Sequence, residues 1–90
     1  MESLETCIMN NLLLLKLGVV MELKKCGAVS VDGFEWLVAK EVRKVCPNQQ
    51  NLEGYLVYFL DIIDIKDGKV VLSKDGEHYV EVIEKLQGVS

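Results

Sequence analysis

The sequence holds a single histidine and only three cysteines, and each scarcity removes a class of protein. Cys7, Cys26 and Cys46 are odd in number and widely spaced, with no Cys-x-x-Cys pair and only His78 as a further soft ligand. That pattern argues against a zinc site or a disulfide framework. All three cysteines are expected to be small buried hydrophobes, which suits a reducing cytoplasm. The glycines are dispersed, so no phosphate-cradling loop exists. His78 stands between Glu77 and Glu81 with no adjacent nucleophile, which marks it as a surface residue. Asp61 and Asp64 are too few carboxylates for a metal. Neither catalysis, nor a metal, nor a cofactor is expected.

An excess of positive charge is missing too. The formal charge is −4, which argues against a uniformly basic surface but leaves room for a local patch. Residues 1 to 47 carry six basic and six acidic groups, and residues 48 to 90 carry four and eight. The excess negative charge therefore lies in the second half. The most apolar run, Leu12 to Leu23, is shorter than the ~20 residues of a membrane span and includes Lys16 and Glu22. Glu2 and Glu5 precede it where a secretory signal would be basic. A soluble, cytoplasmic protein without a membrane segment is expected.

What is present is apolar. Half of the residues are hydrophobic, enough for one core in a single domain over residues 1 to 90, and no repeat, low-complexity tract or linker interrupts it. A chain this short buries only about 60 to 65% of its unfolded surface, so a homodimer is expected on size alone. Ser3 caps a first helix that aligns Leu4, Ile8, Leu12, Leu15, Val19 and Leu23 on one face. Leu13, Leu14, Leu17, Val20 and Met21 fall outside that stripe, making the helix apolar nearly all round and implying a second covering surface. Gly18 is the place where this segment would divide into two helices.

Ala28 to Val31 alternates and is β-branched, as in a brief edge strand. Asp32 with Glu35 forms a capping-box pattern for the next helix, which buries Phe34, Leu37, Val38, Val42 and Val45 and is stopped near Cys46 by Pro47. Asn48 caps a third helix to roughly Leu60, with Leu52, Tyr55, Leu56, Phe59 and Ile63 inward. Asp67-Gly68 is a two-residue hairpin turn. It sets Lys66 opposite Lys69, Ile65 opposite Val70, Asp64 opposite Val71 and Ile63 opposite Leu72. Ser73 then caps a last helix that runs through Leu86, with Tyr79, Val82, Ile83 and Leu86 inward and Gly88 beyond its end.

The hairpin followed by Leu72-Ser73-Lys74-Asp75-Gly76 resembles the end of a winged-helix domain, where a wing passes through a Leu-Ser/Thr-x-x-Gly step into a closing helix. Over essentially the whole chain, the order is similar to that family: an α+β domain of four helices with a short strand and a β-hairpin wing in the C-terminal half. The resemblance implies a small DNA-binding protein, a transcriptional regulator whose third helix enters the major groove while the wing touches backbone. Asn48, Gln49, Gln50 and Asn51 would then reach base edges of double-stranded DNA. Lys66 and Lys69, whose mutual repulsion a phosphate would relieve, would join Lys40, Arg43 and Lys44 on the backbone.

A second reading starts from the residues that oppose DNA. The third helix has no lysine or arginine, and its outer face reads Gln50, Glu53, Gly54, Val57 and Asp61. With the surplus apolar residues Leu13, Leu14, Leu17, Val20 and Met21, this describes a protein-interaction or dimerisation module that does not bind DNA. Scattered basic side chains would favour this second reading, and converging ones the first.

Overall fold

A computed structural model describes residues 3–47 and 54–88. Among them are five helices and one antiparallel hairpin: α1 (Leu4–Asn10), α2 (Leu12–Cys26), α3 (Val31–Val45), a 3-10 helix (Leu56–Ile62), β1 (Ile63–Lys66), β2 (Lys69–Leu72) and α4 (Lys74–Leu86). The chain is therefore α+β.

The first apolar segment does divide, at Asn11 rather than Gly18. Its side-chain amide donates to the Cys7 carbonyl at 2.8 Å, its backbone N–H goes to Cys7 and Ile8, and α1 and α2 meet at 79°. A side chain that bonds the preceding turn competes with helix continuation. Gly18 lies within α2, where a Cβ would collide with Glu41 Oε1 of α3. It permits a close approach between helices. No single helix among the described residues is long and apolar enough to cross a membrane.

Helix α2 is the centre of the fold. Leu15, Val19, Val20 and Leu23 are almost wholly buried, and α2 packs on α1, α3, α4, β2 and the 3-10 helix. Ile8, Phe34, Leu37, Val38, Val42, Phe59, Ile62 and Val70 complete one core. Val20 thus belongs to the core and not, as expected from the sequence, to an outer face.

The brief strand before α3 is reduced to one bridge between Val29 and Val70, with hydrogen bonds of 3.0 and 2.7 Å. It stops there because Ser30, not Asp32, caps α3, accepting from the Gly33 N–H at 3.0 Å. An oxygen at Ser30 reaches the amide three residues on, which leaves Asp32 in the first turn. The continuous third helix does not form either. Gly54 has φ +71, a conformation outside the right-handed helix, and Leu56–Ile62 winds as a 3-10 helix. Residues 48–53 lie outside the described residues.

The hairpin has the expected register, with positive φ at both Asp67 and Gly68. The Ser73 hydroxyl accepts from the Gly76 N–H at 3.1 Å and donates to the Asp61 carbonyl at 2.7 Å. Gly76 is buried, and a Cβ there would strike the Ile62 carbonyl oxygen. This contact fixes the rotation of α4. Tyr79, Val80 and Ile83, three to seven residues further on, therefore face the core, Val80 in place of Val82, and Leu86 is 75% exposed.

All three cysteines also depart from expectation. Cys7 of α1 and Cys46, which caps the end of α3, form a disulfide with Cα atoms 6.3 Å apart and a sequence separation of 39. Cys26 is exposed. Free buried thiols therefore supply no argument for a reducing compartment. Closing a loop of this length restricts the unfolded chain by about 4 kcal/mol in the chain-entropy account. Cys46→Ser is expected to lower the stability measured by urea unfolding by about 2–4 kcal/mol, with reductant doing the same to the wild type. Equal unfolding midpoints with and without reductant would show that the bond contributes nothing.

Candidate interaction surfaces

The expected phosphate contacts fall into two groups. Lys66 and Lys69 flank the hairpin tip, directly opposed and exposed, and neither has a carboxylate within ion-pair distance among the described residues. Lys40, Arg43 and Lys44 lie in the second half of α3. The Val29–Val70 bridge pins β2 to the start of α3, so at the helical rise these cations begin roughly 14 to 20 Å further along the axis. That offset sets them apart from the wing lysines along α3.

The α3 cations are also partly answered from within. Lys40 Nζ lies 3.9 Å from Glu22 of α2 and 5.4 Å from the centre of the Trp36 ring. Lys44 Nζ is 3.0 Å from Glu41 Oε2 without hydrogen-bond alignment. Arg43 has no ion-pair partner among the described residues. Tyr55, at the start of the 3-10 helix, feels this end of α3. Burial and then the Glu35 carboxylate push its phenol pKa up, and Arg43 pulls the other way. The phenol therefore stays neutral at least as far into alkaline pH as an exposed tyrosine.

Asn48, Gln49, Gln50 and Asn51 lie outside the described residues. The 3-10 helix that follows presents Val57, Leu60 and Asp61 outward. On α4, Asp75, Glu77, His78, Glu81 and Glu84 are exposed, with His78 3.9 Å from Glu81. Beside a phosphate backbone these carboxylates would oppose binding.

A second surface is apolar. Leu13 and Leu14 are 61% and 60% exposed, Met21 is partly exposed and Leu17 is half-buried. On an ideal helix these four fall within roughly 100° of arc, away from the face that carries Leu15, Val19 and Leu23. Met9 of α1 is exposed as well. Lys16 borders the stripe but turns inward, its ammonium 2.8 Å from Asp61 and 6.0 Å from the Tyr79 ring. It ties α2 to the end of the 3-10 helix and to α4. Sequence reasoning had no signal for this pairing across 45 positions, and it missed Met9 because the bend at Asn11 was not foreseen.

The chain matches no protein-family model, no curated protein and no solved structure.

The opposed wing lysines give a direct readout of whether anything in the folded chain offsets them. Lys69→Glu converts a like-charge cross-strand pair into an opposite one and is expected to raise stability by about 0.2–1 kcal/mol at low salt. A loss of stability in denaturant unfolding would mean that Lys69 already has a favourable partner.

Proposed function

We propose that this chain is a winged-helix-like interaction module that self-associates through the outer face of α1 and α2. The observation that carries the reading is the stripe of exposed Leu13, Leu14 and Met21 around the half-buried Leu17, with Met9 of α1 exposed as well. The molecule is flat, 41 × 34 × 17 Å, less than two helix diameters thick. Helix α2 is covered on one side by α3, α4 and the hairpin, and among the described residues nothing reaches its other side. Contiguous apolar surface rimmed by charge is a mark of association, and here Lys24 and Lys25 stand at the end of the stripe. The winged-helix likeness is supported by the element order, by the Val29–Val70 bridge joining the turn before α3 to the wing, and by Ser73 and Gly76 at the step into α4.

A second reading keeps the DNA-binding role in transcriptional regulation. Lys66 and Lys69 favour it, because they repel one another at an exposed tip where a phosphate would sit between them. The separation of the wing lysines from the α3 cations, and the internal partners of Lys40 and Lys44, weigh toward the interaction module.

Light scattering tests the first reading. The wild type is expected to run at twice its chain mass, and Leu14→Glu at the single chain mass with an unchanged helical circular dichroism spectrum, since Leu14 takes no part in the core. A wild type that stays monomeric at the highest soluble concentration would overturn self-association.

A further inference from the structure

Trp36 is the largest apolar side chain in the sequence and its sole tryptophan, yet it is 67% exposed on α3. Tryptophan is highly buried on average, so this placement calls for an explanation that core packing does not give. Lys40, one turn on, holds its ammonium 5.4 Å from the ring centre, which steadies the indole through a cation–π contact. Arg43 follows on the same face, seven residues from Trp36, and is the one member of the cluster without an ion-pair partner among the described residues. Trp36, Ala39, Lys40, Arg43 and Lys44 line one open depression of about 450 Å³. The charges of α3 are ordered along the helix, with Asp32 and Glu35 in its first half, outside this depression, and the cations in its second half.

We infer that Trp36 and Arg43 form a stacking-and-phosphate subsite for single-stranded nucleic acid, in which an unpaired base lies on the indole and the adjoining phosphate meets the guanidinium. This rests on the phosphate role of the α3 cations within the nucleic-acid reading, and on neither the wing lysines nor the α2 interface. The helix dipole accounts for cations near the end of α3, but it gives no reason for an exposed indole in front of them. An aromatic platform beside positive charge is the combination by which proteins hold unpaired bases without reading their sequence. Duplex DNA would supply the phosphate but keeps its bases in the stack. An acidic peptide would supply the charge but no planar face. Arg43 offers a planar fork of donors for phosphate, whereas Lys40 is already engaged with the ring and Glu22.

The sole tryptophan makes the test direct. A short oligothymidylate added at low salt is expected to quench Trp36 fluorescence, with the effect fading as salt rises. Arg43→Glu should abolish the quenching. In a parallel assay by anisotropy of a labelled oligothymidylate, Trp36→Ala is expected to weaken binding by roughly 5- to 150-fold, the range for losing one stacked base, while Trp36→Phe retains most of it. Both side chains are exposed, and circular dichroism checks that each variant is folded. Equal responses to oligothymidylate and to a blunt duplex would overturn the stacking subsite and leave the phosphate reading of α3 standing. No response to either would overturn both. A matching salt-sensitive response to polyglutamate would overturn the subsite in favour of an acidic-peptide face.

Discussion

The burial of α2 is the constraint on which the rest of this structure depends. A 15-residue helix with apolar side chains around most of its circumference has no polar face to turn to water. The fold must supply walls for it, and it does so on one side with α3, α4, the 3-10 helix and β2. Each wall needs a device that lets it come close. Gly18 makes room for the Glu41 carboxylate where α2 meets α3, and Gly76 lets the first turn of α4 meet the Ile62 carbonyl. Lys16 closes the third corner through Asp61 and Tyr79. At each point a missing Cβ or a single charge sets how two elements meet, and the buried aliphatic residues fill the space between them.

The same constraint yields the functional surface. Among the described residues no element covers the remaining face of α2, so Leu13, Leu14 and Met21 stay in solvent. Burying apolar surface is favourable by roughly 25 cal/mol per Å², although association must first overcome lost translational and rotational freedom. Under the proposed reading, self-association through α2 would complete a core that a single chain leaves open. The charged features lie elsewhere, on the wing and on the far half of α3. An apolar interface and a nucleic-acid contact can thus coexist without competing for residues.

Much of this was legible in the sequence, where the signal is local. The hairpin register followed from Asp67-Gly68, because a two-residue turn with positive φ at both positions has one pairing. The cap at Ser73 and the buried stripes of α2 and α3 followed from spacing. What failed depended on contacts distant in sequence or on competition between neighbours. Cys7 and Cys46 read as thiols because nothing local brings α1 to the end of α3. Ser30 and Asp32 are both good caps, and the choice fell to the one whose oxygen reaches the Gly33 amide. Val82 and Leu86 looked inward by period alone, until the approach of Gly76 to Ile62 rotated α4. Of the candidate site, the exposed Leu13 and Leu14 were visible as surplus apolar residues. The carboxylate near Lys40 was not, since Glu22 belongs to another helix.

If α2 organises the molecule, its amides must be the last to open. Native-state hydrogen exchange tests this most directly, because it separates local opening from global unfolding residue by residue. The amides of Val19, Val20 and Leu23 are expected to exchange only through global unfolding, with those of the second half of α4 and the hairpin tip exchanging faster through local opening. If the α2 amides exchanged as fast as those of α4, the fold would not be built around this helix.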